Sequence, residues 1–170
     1  VYNRLLKSKY IEQIIIATTK NRNDDKLFEW CKANNINVFR GSENNVLNRF
    51  YDAAQKNNAS IIVRITSDDP FKDVKIIDDV IQLLIKNDLD FSYNNFPATF
   101  PEGLDVEVMN FKSLKKAYLN ATSDFEKEHV TQYFFKNKNL FKMMNLKCEK
   151  NYSFLRLTVD CNEDYNLSKK

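Results

Sequence analysis

Ser60-Ile61-Ile62-Val63-Arg64-Ile65-Thr66-Ser67-Asp68-Asp69-Pro70 is a short β-branched run that ends in two acids and a proline. A run of this kind reads as a strand buried on both faces of a parallel sheet, stopped by a proline turn. Its period-2 alternation puts Arg64, Thr66 and Asp68 in phase, opposite Ile61, Val63 and Ile65. The strand therefore delivers an acid to its own carboxyl end, where open α/β sheets bind ligands.

The same pattern extends on both sides. Residues 74–87 have helical spacing through Ile76, Ile77, Val80, Ile81 and Leu84, and Leu89 to Tyr93 read as the next strand. Upstream, residues 44–58 read as a helix through Val46, Leu47, Phe50, Ala53 and Ala54, and Asn37 to Phe39 as a short strand. Before them come a helix over 24–34, carried by Leu27, Trp30 and Cys31, and a strand over 13–18. This alternation predicts an α/β fold with a mainly parallel, helix-covered sheet. The second half is mixed: a strand over 104–109, helices over 111–120 and 124–138, and extended stretches over 140–147 and 153–160. It reads as an insertion followed by a returning strand on the same sheet. Val1 to Leu6 already show helical spacing without an N-cap, so the chain reads as starting inside a helix. No repeat or linker divides residues 1–170, which are read as one domain.

Composition narrows the function classes. With 43% hydrophobic and 29% charged residues, the chain is that of an ordinary globular protein. No apolar run approaches the roughly 20 residues that span a bilayer, and no signal peptide is visible, so neither a membrane nor export is expected. The net charge of +3 is dispersed, with no basic stripe, which argues against nucleic acid as a partner. Cys31, Cys148 and Cys161 are odd in number and far apart, and read as reduced cytoplasmic thiols.

The special backbone residues cluster where a site is expected. The chain has only two glycines and three prolines, and they fall at Gly41, Pro70, Pro97, Pro101 and Gly103, each at or just past a predicted strand. Such residues also belong in any turn. The acids add to the pattern: Asp105 and Glu107 share one side of their predicted strand, and Arg156, Thr158 and Asp160 share one face of theirs. Carboxylates at strand ends suit a hard cation such as Mg²⁺, with phosphate oxygens completing its shell. An Asx-turn or helix cap at Asp68, and a solvated face at Asp105 and Glu107, are the plain alternatives.

Five segments in this order resemble one family. They are Val38-Phe39-Arg40-Gly41-Ser42-Glu43 with Val46-Leu47-Asn48-Arg49-Phe50-Tyr51, Val63 to Pro70, Pro101-Glu102-Gly103-Leu104-Asp105-Val106-Glu107-Val108, Glu128-His129-Val130-Thr131, and Leu155-Arg156-Leu157-Thr158-Val159-Asp160. Together they resemble the spore coat polysaccharide biosynthesis protein F family, which is related to acylneuraminate and 3-deoxy-manno-octulosonate cytidylyltransferases. The likeness runs from about residue 11 to residue 167. It implies a Rossmann-like sheet of the nucleotide-diphospho-sugar transferase type. It also implies transfer of CMP from CTP to a sugar acid, with release of pyrophosphate, for surface polysaccharide synthesis.

The resemblance assigns roles. Asp68 and Asp160 become the catalytic metal ligands for Mg²⁺ and are expected to meet around one ion. Arg40, Gly41, Ser42 and Arg49 fall on the nucleotide side, and Glu102, Asp105, Glu107 and His129 on the sugar side. His129, the only histidine, equally suits a structural hydrogen bonder at a helix start. Tyr133, Phe134, Phe135 and Phe141 read as core or homodimer contacts. Nothing in the chain matches the family's opening strand and glycine-rich phosphate loop, so the chain as given is expected to lack them and to be inactive. Asp69, and Cys161 to Asp164, also depart from the family pattern. Two rival readings stand beside this one. One is a metal-dependent glycosyltransferase in which Asp105-Val106-Glu107 mimics a D-x-D pair; the other is a non-catalytic truncated product.

Overall fold

A computed structural model describes residues 1–169. The chain divides into two compact units. Unit 1 comprises Val1–Ile11, Val63–Met109 and the stretch from Lys142 onward, and unit 2 comprises Glu12–Ile62 and Asn110–Phe141. The units interleave along the chain, so no composition shift marks the points where one gives way to the other.

Unit 2 opens with β1 (Ile16–Thr19), a 3₁₀ turn at Arg22–Asp24, α2 (Asp25–Ala33; α1 belongs to unit 1) and β2 (Val38–Gly41). β1 and β2 pair in parallel, with Ile16 opposite Val38 and Thr19 opposite Gly41. The intervening helix makes this a β-α-β unit, as the alternation required. α3 (Val46–Lys56) follows, its first turn capped by the Asn45 side chain, which accepts from the Asn48 amide at 2.9 Å. Its apolar face packs on α5 (Phe111–Asn120) and α6 (Asp124–Glu128), where Tyr51 stacks on Tyr118 with ring centroids 4.2 Å apart.

The helix expected over 124–138 is divided into α6 and α7 (Gln132–Lys136). The division falls at Val130, which is fully buried and has a φ of 32°. A β-branched residue rarely adopts that conformation, and here core packing holds it. Glu126 bridges the break: its side chain accepts from the amides of Thr122 and Ser123, both at 3.1 Å, and pairs with Lys136 at 2.9 Å. Tyr133, Phe134 and Phe141 are buried in this unit.

Unit 1 carries α1 (Tyr2–Leu5), the end of β3 (Ile61–Arg64), α4 (Val74–Asn87), β4 (Phe91–Tyr93), most of β5 (Glu107–Asn110), β6 (Met143–Asn145) and α8 (Asn162–Ser168). The sheet order is β3-β5-β4-β6. β4 runs antiparallel to β5 and parallel to β6, so an antiparallel pair enters the sheet with the second half of the chain, where the sequence read as an insertion. α4 buries Ile77, Val80, Ile81 and Leu84, and Ser92 on β4 donates to the Val80 carbonyl at 2.8 Å.

One expected strand is absent from this sheet. Residues 153–160 make a single parallel bridge, between Arg156 and Glu102. They are held instead by scattered backbone bonds, and Ser153 to Arg156 remain exposed, so no second layer covers them as it would a sheet strand.

Candidate functional site

Three separate segments of unit 1 are tied together at the ends of its strands. The first is the loop after β3. Asp69 is 3% exposed, and its carboxylate accepts from the Thr66 hydroxyl at 2.5 Å and pairs with Lys72 at 2.7 Å. Asp68, beside it, is exposed, and among the described residues its carboxylate has no hydrogen-bond partner. The cap of the helix that follows is Asp73, whose side chain accepts from the Lys75 and Ile76 amides, not Asp68.

The second segment is the loop from Asn94 to Asp105. Asn94 is fully buried; it donates to the Leu104 carbonyl at 2.9 Å and accepts from the Val106 amide at 2.7 Å, closing the loop on itself. Lys72, also fully buried, donates to the Asp105 backbone carbonyl at 2.5 Å. Among the described residues the Asp105 carboxyl has no hydrogen-bond partner. Burial pushes it up to about 6, opposed by the Lys72 ammonium and reinforced by the negative charges of Asp69, Glu107 and Glu102.

The third segment is 155–160. Glu102 donates its amide to the Leu155 carbonyl at 2.9 Å and accepts from the Leu157 amide at 2.8 Å. Gly103, at a φ of 96°, lies so close that a Cβ there would stand 2.9 Å from the Leu157 carbonyl carbon. Two residues further on, the Val159 amide donates to the Asp68 carbonyl at 2.8 Å. The segment that carries Asp160 is thus bonded on one side to the Asp68 loop and on the other to the Glu102–Asp105 loop. Asp160 is held by Arg156 at 2.8 Å and by the Thr158 hydroxyl, while Arg156 also grips Asp164 through both terminal nitrogens, at 2.9 and 2.6 Å. Both contacts to Asp160 use Oδ2, which leaves Oδ1 free of them.

Glu107 departs from the expected sugar-side role. β5 is buried on both faces, and Glu107 is 3% exposed. Its Oε2 pairs with Arg64 at 2.6 Å and its Oε1 accepts from Asn95 at 3.2 Å. A carboxylate engaged in this way is not available beside Asp105 as a D-x-D pair, which removes the geometric basis of the glycosyltransferase alternative. The polar positions of two predicted strands, Arg64 on one and Glu107 on the other, instead meet as an ion pair.

The residues expected on the nucleotide side lie together in unit 2. Gly41 ends β2, and a Cβ there would stand 2.8 Å from Cγ of Arg49, so the glycine lets that side chain pass. Arg49 donates to the Ser42 carbonyl at 2.6 Å, and the Ser42 hydroxyl accepts from the Asn45 amide at 3.0 Å. The Arg49 Nε is buried without a partner among the described residues. Arg40 is occupied locally: it donates to the carbonyls of Thr19 and Asn21 at 2.7 and 2.8 Å, pairs with Asp25 at 2.7 Å and covers the Phe28 ring. His129, in the same unit, ends α6, is exposed and stands edge-on to Phe125 with centroids 4.6 Å apart.

The donor set can be tested against Mg²⁺. Among the described residues no cluster of three or more His, Cys, Asp or Glu side chains could hold a metal ion. Mg²⁺ does not require such a cage, since it is ordinarily held by one or two carboxylates with waters and substrate phosphates in the remaining positions. The exposed oxygens of Asp68 and Asp160, on segments joined by the Val159–Asp68 bond, fit that requirement. No residue pattern near the Asp68 loop singled out Lys72, and the Arg156–Asp164 clamp was equally unmarked.

A family model described as cytidylyltransferase matches residues 1–167. The chain belongs to the cytidylyltransferase family. Among curated relatives, an uncharacterized protein of Methanocaldococcus jannaschii is 41% identical over 167 residues, covering 96% of this chain and 67% of that protein. Spore coat polysaccharide biosynthesis protein SpsF of Bacillus subtilis is 33% identical over 161 residues, covering 93% of this chain and 66% of that protein. This cytidylyltransferase thus spans about two thirds of the length of both. Among solved structures, a cytidylyltransferase from Leptospira borgpetersenii superposes with a TM-score of 0.92 at 38% identity, over 98% of this chain and 71% of that one. A CMP:2-keto-3-deoxy-manno-octonic acid synthetase complexed with CTP shares the fold, with a TM-score of 0.62 at 11% identity over 86% of this chain and 77% of that one. The family and the Rossmann-like α/β class implied by the sequence are therefore both established. No helix among the described residues is long and apolar enough to cross a membrane.

Proposed function

We propose that this cytidylyltransferase transfers CMP from CTP to a hydroxyl of a sugar acid in the cytoplasm, in the synthesis of a surface polysaccharide. The observation that carries the reading is the Val159–Asp68 backbone bond, which ties the segment carrying Asp160 to the loop carrying Asp68, both acids being exposed, in the unit that also holds Asp105. The acceptor oxygen attacks the α-phosphorus, the bond to the β-phosphate oxygen breaks, and pyrophosphate leaves. Mg²⁺, when bound, neutralises charge on the triphosphate. Asp68 and Asp160 would hold it. Asp105 would accept a hydrogen bond from the attacking hydroxyl, and its raised pKa lets it take the proton near neutral pH. Glu102 would orient the acceptor. Within unit 2, taken by itself, Arg49, whose Nε has no partner among the described residues, and Ser42 are the residues proposed for nucleotide binding, and Gly41 leaves room for Arg49. Arg40, also proposed for the nucleotide side, fixes the turn after β1 by donating to the Thr19 and Asn21 carbonyls.

Binding decides between this and the nucleotide-sugar reading. Titrating the chain in Mg²⁺ with CTP, and separately with CMP- and UDP-sugars, is expected to show CTP binding that Asp68→Asn weakens. Binding of nucleotide sugars alone would overturn the proposal. Only Gly41 and Gly103 are available to the whole sequence, and no glycine-rich phosphate loop can be built from them. We therefore expect pyrophosphate release by the 170-residue chain to be slow, even with 2-keto-3-deoxy-manno-octonic acid as acceptor.

A further inference from the structure

We propose that Lys72 is a positioning residue: it sets the spacing between the metal-side loop at Asp68 and the acceptor-side segment at Asp105 without touching substrate. The inference rests on the proposed function for its meaning in catalysis, but its geometry stands independently. Lys72 has no exposed surface and heads the fully buried side chains of the described residues by volume. A buried ammonium is costly, and a buried ion pair can often be replaced by apolar groups with no loss of stability. Stability alone is therefore a weak reason for a lysine at this place.

Its connections supply a better one. Nζ contacts Asp69 Oδ2 at 2.7 Å and the Asp105 carbonyl at 2.5 Å, and the Lys72 carbonyl accepts from Arg4 at 3.3 Å. The residue therefore grips the position immediately after Asp68, and it grips Asp105 by its backbone. In both places the grip leaves the functional carboxylate free. Asp69 absorbs the ammonium and the Thr66 hydroxyl, so Asp68 is not drawn inward. The Asp105 carbonyl takes the lysine hydrogen bond, so its carboxyl is not used as the ligand. A side chain of fixed length between the two loops then holds them at one separation, and a reacting geometry is sensitive to shifts of about 1 Å.

The test compares Lys72→Met, Lys72→Arg and the apolar pair Asp69→Leu/Lys72→Met. It follows thermal midpoint, amide hydrogen exchange and pyrophosphate release with CTP, Mg²⁺ and 2-keto-3-deoxy-manno-octonic acid. Lys72→Met is expected to lower both midpoint and rate. The apolar pair is expected to recover the midpoint, while the rate stays down by roughly 100-fold and exchange at Leu104, Val106 and Val159 remains at least about 10-fold faster than in the parent, with α4 unchanged. Lys72→Arg should recover part of both. Recovery of slow exchange and rate together with the midpoint in the apolar pair would overturn the proposal, as would parent-like exchange at those amides in Lys72→Met. If the parent chain releases no pyrophosphate, the fault lies with the functional reading or the acceptor, and the exchange pattern alone decides the role of Lys72.

Discussion

The amide of Val159 donates to the carbonyl of Asp68 across 2.8 Å, joining two segments that are distant in sequence. Asp160 follows directly, so both proposed metal ligands lie beside one backbone bond. Asp68→Asn and Asp160→Asn are each expected to weaken Mn²⁺ binding, used as a probe for Mg²⁺, by at least about 10-fold, by the loss of a charged oxygen ligand. Because both residues are exposed, each should change folding stability by no more than about 0.5 kcal/mol. Calorimetric titration with Mn²⁺ and a urea melt check the two halves; unchanged Mn²⁺ affinity in both variants would remove the shared site.

Asp105 makes stability depend on pH. Its carboxyl is raised to about 6 in the fold, chiefly by burial, against an ordinary value near 3.8. Between those values the folded state binds more protons than the unfolded one, so stability falls as pH rises through that window. Asp105→Asn is expected to be more stable than the parent above pH 6, by about 1–2 kcal/mol after allowance for partial exposure. The two should converge near pH 4. Urea midpoints at pH 4 and pH 7.5 measure this, and an equal gap at both would contradict it.

Glu126 acts in the opposite sense. The Lys136 ammonium, followed by the Ser123 amide, holds its carboxyl down to about 2 from 4.5. Its contribution is therefore present above pH 4.5 and lost as pH falls through about 2. Glu126→Gln should be less stable than the parent at pH 7 and should approach it near pH 2. Hydrogen exchange in α6 at the two pH values reads this directly.

The two glycines should fail differently. Gly103→Ala meets backbone, at 2.9 Å from the Leu157 carbonyl carbon, and must adopt a φ of 96°. Strain of that kind costs about 1–3 kcal/mol, which lowers the midpoint of a chain this size by several degrees. Gly41→Ala meets side-chain atoms of Arg49 and Phe39, at 2.8 and 3.0 Å, which can move. Its thermal loss should be smaller and its loss of CTP affinity larger, because Arg49 is what it displaces.

Local signals explain where sequence reading succeeded. α4 and α5 occupy the predicted spans, 74–87 and 111–120, and each begins after a side chain that caps it: Asp73 accepts from Lys75 at 2.7 Å and Asn110 from Ser113 at 2.8 Å. Periodicity and a cap act within a few residues, so both are written locally. The strand expected over 13–18 instead starts at Ile16, because its limits depend on where β2 pairs. The split at Val130 is likewise set by packing.

The candidate site divides in the same way. Asp68, Asp105 and Asp160 are proposed from a local mark, acids at or beside predicted strands, although the strand expected before Asp160 makes only one bridge. Glu107 could not be told from a ligand, since only its tertiary partner, Arg64, turns it inward. Arg40 resembled a nucleotide contact for the same reason, and its bonds to Thr19 and Asn21 are invisible in sequence. Lys72 bonds to a backbone carbonyl 33 positions away, and no periodicity encodes such a contact.

The interleaving of the two units bears on how the molecule is made. Unit 1 gathers Val1–Ile11, Val63–Met109 and everything from Lys142, and unit 2 is itself in two pieces. Neither can be completed by a nascent chain in simple order. Synthesis delivers the Asp68 loop and the Asp105 segment long before their partner strand-like stretch at 155–160, and long-range closure of this kind slows folding. The proposed active centre is therefore among the last features to assemble. During translation the half-made protein presents β4 and β5 without β6, an unguarded sheet edge at the time when aggregation or a chaperone would compete for it.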